Sequence, residues 1–494
     1  MGRFVRRANT AGLLAAGLLT IATGVALADD QAGAPAPIDD FDRAWQLVNE
    51  AHWDPAYLEQ IGWDNIRQTY RVRAEAADSL NDVRVIITEM LGELKQSHFS
   101  VIPSEVSNRE FDGPEAAWAD FDAGEAEVSE AEFEAAPEGE RSAGAATTGV
   151  QVRVINSALV IVSVDPGSPA ATLGIEPGWV ITRIGDTEVS RLINALASGM
   201  EPKEVSMYAW QVFDEDLRGR EGSRVRLGML DHDNNAVRRI VARADSGAEM
   251  FKFGNLPAMS TELDWWWLDT ASLGMKSDKR IGVIRFNIWM IPIRPQFERA
   301  MWELRDADGI IIDVRGNLGG IGGMAPALTG FFVDDRASMG STKMRGNEIN
   351  ITAQPIQPTS RGDRYTPYAG PVALLTDNVS ASTSEIFAAG LQAIDRAAVF
   401  GDTTAGAALP ALMSPLPSGD ILLHAMADYI AADGERPEGG GVIPDLRVPL
   451  TRGDLSNGID APMRAASAWI AGGGQPFRRQ HADEHSADDH ANEN

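Results

Sequence analysis

The stretch from Leu374 to Gly390 reads as the end of an apolar strand, a turn of small polar residues and the start of a helix. Such a junction projects a side chain beside backbone N–H groups that have no helical partner. A serine placed there combines an exposed hydroxyl with oxyanion donors, the two requirements of acyl transfer. Ser380, Ser382 and Ser384 all fall in this turn, and each would also serve as an ordinary N-cap. Three further motifs follow apolar runs or close the chain: Asp313-Val314-Arg315-Gly316-Asn317-Leu318-Gly319-Gly320, Gly401-Asp402-Thr403-Thr404-Ala405-Gly406, and Glu438-Gly439-Gly440-Gly441-Val442-Ile443-Pro444-Asp445. Glycines after a strand let backbone approach a substrate carbonyl, but they also make plain turns or phosphate loops. No Gly-Lys-Ser/Thr follows them, and Ser382 lacks the Gly-x-Ser-x-Gly flanks of an α/β-hydrolase elbow. An imidazole, His98, ends the segment Met90-Leu91-Gly92-Glu93-Leu94-Lys95-Gln96-Ser97-His98-Phe99.

The elements that must position these groups follow from pattern. Residues 1–28 read as a signal peptide: Arg3, Arg6 and Arg7 are basic, Ala11 to Leu27 is apolar, and Ala26-Leu27-Ala28 is a small-x-small cleavage site. The apolar run is short for a membrane span, which predicts cleavage after Ala28, no integral membrane anchor thereafter, and a periplasmic or secreted protein. Arg6-Arg7 fits a twin-arginine leader or any basic leader. Residues 40–104 read as a helical N-terminal domain, with Phe41, Trp45 and Val48 on one face and Val83, Ile86, Ile87, Met90, Leu91 and Leu94 on another. Residues 105–146 are an acidic connector without apolar periodicity. Residues 147–244 turn to strands, with Val150, Val152 and Val154 alternating, an apolar run from Leu159 to Val164, and a short helix from Pro169 to Leu173. Met250 to Lys279 reads as a connector whose Trp265-Trp266-Trp267 is packing material.

Residues 280–450 alternate strand and helix: Ile281 to Phe286, a helix from Pro295 to Arg305, then Ile310 to Val314, Val372 to Leu375 and Ala397 to Phe400. Such continuous apolar strands suit a sheet covered on both faces. Leu450 to Ile470 predicts a closing helix, and residues 475–494 a disordered tail, whose His481, His485 and His490 are solvated rather than metal-bound. The net charge of −28 excludes nucleic acid as the main partner. The absence of cysteine excludes thiolate chemistry, disulfides and lipid attachment.

In this order the four motifs resemble those of the C-terminal processing (tail-specific) serine peptidases and their tricorn-core relatives, over roughly Phe41 to Leu450. The resemblance implies an α/β fold class: a mixed α/β core (a crotonase/Clp-like sandwich), a small helical N-terminal domain and an inserted PDZ-like β-rich domain. It also implies Ser382 as nucleophile, with oxyanion donors from Thr383 and the Gly319-Gly320 turn. The tail-specific branch takes its base from a lysine in a Thr-Phe-Gly-Lys-Gly motif. Here the matching stretch is Thr404-Ala405-Gly406-Ala407-Ala408, Ala407 stands at the lysine position, and no lysine follows Lys343. The tricorn-like branch instead uses a Ser-His pair and a late glutamate. By that resemblance His98 is the base, and Ser97 and Glu438 hold and polarise it. His424 lies in an alternating run and reads as structural, while His52 and His232 have no motif around them. Residues 147–244 resemble a PDZ domain of the bacterial protease type, which implies peptide binding at Thr148, Gly149, Val150 and Val152. Trp179 departs from that pattern, standing where an aspartate is usual.

The expected protein is an exported serine endopeptidase that forms an acyl-enzyme on Ser382 without metal or cofactor. Its partners are protein or peptide substrates, including those with free C-termini. Two alternatives stay open: a non-catalytic peptide-binding pseudopeptidase, and an acyl esterase using the same serine.

Overall fold

The computed structural model describes residues 36–103, 146–197, 202–251, 259–356 and 365–477. The leader, nearly all of the acidic connector and the histidines of the tail lie outside the described residues.

The continuous apolar strands form the main sheet, in the order Leu263–Trp267, Ile281–Phe286, Gly309–Asp313, Val372–Thr376, Ala398–Gly401 and Leu446–Arg447. The first pair is antiparallel and all later pairs are parallel. Successive strand residues point to opposite faces, so each strand feeds two cores. Ile284, Ile312, Leu374 and Val399 pack on one face with the helices Ile293–Glu303, Met324–Thr329 and Thr383–Ala393. Val283, Ile311, Leu375 and Phe400 pack on the other face with the helix Ala461–Ala471. The architecture is mixed α/β with a helical N-terminal region and several sheets.

Three local expectations need correction. The helix expected at Pro295 spans Ile293–Glu303, because Pro292 can stand at its N-cap and extend the first turn. The closing segment holds two helices, Arg452–Ser456 and Ala461–Ala471, capped separately by Thr451 and Asp460. The tryptophan triplet belongs to the edge strand of the main sheet, not to a connector. Trp265 packs against the core and donates to Glu303 (2.8 Å). Trp266 and Trp267 remain 36% and 40% exposed, with Arg280 4.1 Å over the Trp267 ring.

Between these bodies lies an insert with its own core. Its sheet runs in the order Val150–Ile155, Ala158–Val164, Val180–Ile184, Arg224–Leu230 and Ala236–Ala242. Two helices, Val189–Ala197 and Pro202–Leu217, cover it, and the strand-focused sequence reading had neither. The N-terminal helices Pro37–Ala51, Pro55–Ile61, Trp63–Glu75 and Leu80–Gly92 share a core with Leu416 and Leu422 of the C-terminal body. The strand Ser100–Ile102 adds antiparallel to Ile421–Ala425, and Arg84 forks onto the buried Asp420 carboxylate (2.6 and 2.8 Å). This docking fixes the turn carrying Ser97 and His98 against the C-terminal body.

Candidate active site

Ser382 is the N-cap of the helix Thr383–Ala393, half-buried, with its backbone at φ +56°. A non-glycine residue in that region costs about 1–3 kcal/mol and persists only where its surroundings hold it. Here Ser382 N donates to Ala407 O (2.8 Å) and to Glu385 Oε2 (3.1 Å). The neighbouring serine hydroxyls are committed elsewhere. Ser380 Oγ donates to Val314 O (2.8 Å), and Ser384 Oγ donates to Asn317 O (3.0 Å) while accepting from Trp289 Nε1 (2.8 Å). Both of those serines are buried.

The glycine turn lies directly against the nucleophile turn. A Cβ on Gly319 would stand 2.6 Å from Ser382 Cβ and 2.9 Å from Thr383 N, so no other residue fits. Gly319 N is already used, donating to Asn317 Oδ1 (2.9 Å). The N–H groups of Gly320 and Thr383 have no partner among the described residues, and Thr383 Oγ1 donates to Gly320 O (2.9 Å). Asp377 ties both turns together, accepting from Gly316 N, Val379 N and Ser380 N at 3.0 Å each. Its second oxygen accepts from Arg153 Nε of the insert at 2.6 Å. Burial raises the Asp377 carboxyl, but the Arg153 guanidinium and these hydrogen bonds win and hold it below its usual range.

Opposite stands the Ser97-His98 turn. Glu438 accepts from Ser97 N (2.9 Å), Ser97 Oγ (2.8 Å) and Ala408 N (2.9 Å). Ser97 Oγ has one proton and gives it to Glu438, so at 2.8 Å it accepts from His98 Nδ1. That assignment puts the imidazole proton on Nδ1 and leaves the Nε2 lone pair available as a base. His98 is half-buried as a residue, and burial of its ring pushes the imidazole down to about 4. Among the described residues no hydrogen bond runs directly from His98 to Ser382. The two halves meet instead through one backbone segment: Ala407 holds Ser382, and Ala408 holds Glu438.

Glu385 escaped the sequence reading, although its place three residues after an N-cap serine is the capping-box signal that marks it. Its buried carboxylate accepts from Thr404 Oγ1 (2.5 Å), Gly406 N (2.8 Å), Ala407 N (2.8 Å) and Ser382 N. Burial pushes it up to about 7 against the downward pull of those bonds. His424 is buried on Ser414 Oγ (2.9 Å), and His232 pairs with Glu176 near the surface. No cluster of three His, Asp or Glu side chains fit to hold a metal occurs among the described residues.

The model of peptidase family S41 matches residues 280–448. The chain carries a peptidase family S41 domain. The carboxy-terminal processing protease CtpA of Bacillus subtilis (strain 168) is 24% identical over 304 residues, 61% of this chain and 56% of that protein. A probable CtpA-like serine protease of Staphylococcus aureus (strain N315) is 23% identical over 303 residues, 61% of this chain and 52% of that protein. The chain thus spans about half the length of these curated relatives. Among solved structures, the photosystem II D1 C-terminal processing protease superposes with a TM-score of 0.52 at 20% identity, covering 87% of this chain and 99% of that one. Mature CPAF superposes at 0.56 with 12% identity, covering 90% and 98%. These likenesses show a shared fold.

The S41 domain contributes Ser382, Thr383, Gly319, Gly320 and Glu438, while Ser97 and His98 come from the N-terminal helical segment. Among the described residues no hydrogen bond joins Thr148, Gly149, Val150 or Val152 to this centre, although Val150 and Val152 share a core with Val379. The side chains of Thr148, Val150 and Val152 are buried in the insert. The N–H groups of Gly149 and Val150 donate to the hydroxyls of Thr147 (3.1 Å) and Thr148 (3.4 Å).

Proposed function

We propose that this chain is a serine-type peptidase whose nucleophile is Ser382 and whose base is His98. The observation that carries the reading is the joined network of Ser97, Glu438, Ala408, Ala407 and Ser382, which fixes a correctly protonated imidazole and a strained serine to one segment. His98 Nε2 takes the Ser382 Oγ proton as Oγ attacks the peptide carbonyl carbon. The N–H groups of Gly320 and Thr383 receive the developing oxyanion. The intermediate collapses as His98 returns the proton to the leaving amine, and water, activated by the same imidazole, hydrolyses the acyl-enzyme. Glu438 stabilises the transient imidazolium through Ser97. Catalytic hydrogen bonds often close only with substrate bound, so His98 and Ser382 meet in the productive complex.

The insert presents protein or peptide substrates, and its Arg153 contact with Asp377 ties it to the nucleophile turn. The internally satisfied Gly149 and Val150 favour capture along the Val150–Ile155 edge strand over capture of a terminal carboxylate. The basic and apolar leader pattern of residues 1–28 supports export.

The test is fluorophosphonate labelling together with hydrolysis of a fluorogenic peptide. Wild type labels and cleaves, Ser382→Ala does neither, and His98→Ala loses nearly as much rate. Labelling that survives in Ser382→Ala, or near-normal turnover in His98→Ala, overturns the assignment. A wild-type chain that binds peptide but neither labels nor cleaves returns it to the pseudopeptidase reading.

A further inference from the structure

His52 has no sequence motif, yet it lies directly behind the Ser97-His98 turn. It follows the helix Pro37–Ala51 as its C-cap, with its N–H on Val48 O (2.9 Å), and the side chain is 0% exposed. Nδ1 faces both Asp54 N (3.0 Å) and Asp54 O (3.1 Å), and Nε2 lies 2.9 Å from Gln96 Oε1; an amide oxygen only accepts, so Nε2 carries the proton and donates to Gln96, and Nδ1 of the neutral ring accepts from Asp54 N. The ring also stacks on Phe99, with centroids 6.0 Å apart and planes 13° from parallel. His52 therefore touches the residue before Ser97 and the residue after His98. Trp53 and Tyr57 stack against the same ring at 5.7 and 6.0 Å, and Tyr57 Oη donates to Leu94 O (2.7 Å). From the catalytic body, Arg345 reaches His52 O (3.3 Å) and Asn49 O (2.8 Å).

The turn needs such support. Lys95 at φ +50° and His98 at φ +61° both occupy the left-handed region, which non-glycine residues hold only under constraint. Burial keeps the His52 imidazole below its usual range and so neutral, with Nε2 a stable donor.

We propose that His52 is a positioning residue for the His98 base: through Gln96 and Phe99 it holds the strained turn in which Ser97 orients the catalytic imidazole. This rests on the reading of His98 as base. A residue that merely fills the core would lower stability without changing what His98 does.

The test uses the full chain, with labelling rate, kcat and KM for a fluorogenic peptide, and the thermal midpoint. His52→Phe keeps the stacked ring and removes the donor to Gln96. It lowers kcat and the labelling rate about tenfold, the scale of one lost hydrogen bond, with KM unchanged. His52→Gln restores an amide donor and recovers most of that loss. In a Ser97→Ala background, where the imidazole is already uncoupled, His52→Phe costs less than about twofold more. Equal losses in both backgrounds, or unchanged kcat in His52→Phe, overturn the proposal. Should His52→Phe fail to fold, Gln96→Met removes the same bond from its half-buried partner and is read in the same way. Histidine-selective 15N spectra give a readout independent of activity: His98 holds its proton on Nδ1 in wild type and becomes a tautomer mixture in His52→Phe. An unchanged His98 signal overturns the positioning role. Failure of wild type to label or cleave overturns the functional reading alone, and the spectra still decide this one.

Discussion

Replacing Ser97 with alanine tests the proposed relay from Glu438 through Ser97 to His98. Ser97 Oγ stands 2.8 Å from both His98 Nδ1 and Glu438 Oε2, so its removal leaves the Nδ1 proton without an acceptor. Glu438 keeps the backbone donors Ser97 N and Ala408 N, both at 2.9 Å, so the fold around it survives. The lost interaction is a hydrogen bond chained to a charge, a class worth about 1.5–3 kcal/mol. If that stabilisation belongs to the imidazolium of the transition state, kcat falls about 10- to 150-fold. KM stays constant, because the loss arises only when His98 is protonated. Ser97→Thr keeps the hydroxyl and recovers most of the rate. The assay is steady-state hydrolysis of a fluorogenic peptide beside the rate of fluorophosphonate labelling, with thermal midpoints to verify folding. A Ser97→Ala enzyme within twofold of wild-type kcat, or a defect confined to KM, refutes the relay.

Burial of His98 fixes the pH behaviour. A free histidine titrates near ~6.5, whereas burial pushes this one down to about 4, so the acid limb of kcat/KM is expected below 6.5, and a rate that does not fall on acidification contradicts the assignment. The unfolded chain takes up that proton first, so the stability contributed by His98 is present above ~6.5 and lost as pH falls toward 4, a loss absent from His98→Ala melts. Glu385 acts in the opposite sense: its folded value of about 7 lies above its ordinary one, so its contribution is present in acid and lost as pH rises through 7, and Glu385→Gln flattens that part of the melting profile. Gly319→Ala, whose Cβ would meet Thr383 N at 2.9 Å, abolishes labelling while the chain stays folded, and retained labelling removes the turn from the oxyanion site. Arg153→Ala strands a buried Asp377 and costs about 3–5 kcal/mol by denaturant melts; a change under 1 kcal/mol means the insert does not brace the nucleophile turn.

Much of the catalytic body was legible because its strands are continuous apolar runs, whose two-sided burial leaves no other arrangement. The groups at the strand ends were legible through motif resemblance, since Ser382, Gly319 and Glu438 sit in distinctive local contexts. What sequence could not reveal were contacts made by backbone or across long separations. The choice between Gly319 and Gly320 as free donor depends on Asn317, whose side chain folds back onto Gly319 N. The helix Val189–Ala197 does carry helical spacing in Val189, Leu192, Ile193 and Leu196, but the strand patterns on either side drew the reading away from it. The tryptophan triplet looked like core by composition, but it lies at the end of an edge strand, where Trp266 and Trp267, on opposite faces, both stay partly exposed. His52 had no motif, because its partners Gln96 and Phe99 lie more than 40 residues away and are recognisable only once the helices dock.

The absence of lysine at Ala407 becomes intelligible from what the backbone does there. Ala407 N donates to Glu385, Ala407 O accepts from Ser382 N, and Ala408 N donates to Glu438. The segment instead joins Ser382 and Glu438, the proposed nucleophile and the proposed support of the base, through main-chain groups, for which alanine suffices. Gly406 controls that segment: it sits at φ +77°, and a Cβ would lie 3.0 Å from Gly439 C and O and 3.1 Å from Gly441 N. Gly406→Ala therefore adds the ~1–2 kcal/mol of a left-handed alanine to a tight backbone contact that the Gly439–Gly441 turn relieves by yielding slightly, not by rotating a side chain. The segment must shift, and the shift moves Ser382 and Glu438 at once. The expected result is a loss of labelling rate larger than that of Ser97→Ala, with the loss barely deepened when the two changes are combined. A Gly406→Ala protein that melts earlier but labels at the wild-type rate would mean the segment supports the fold and leaves the alignment of base and nucleophile to other contacts.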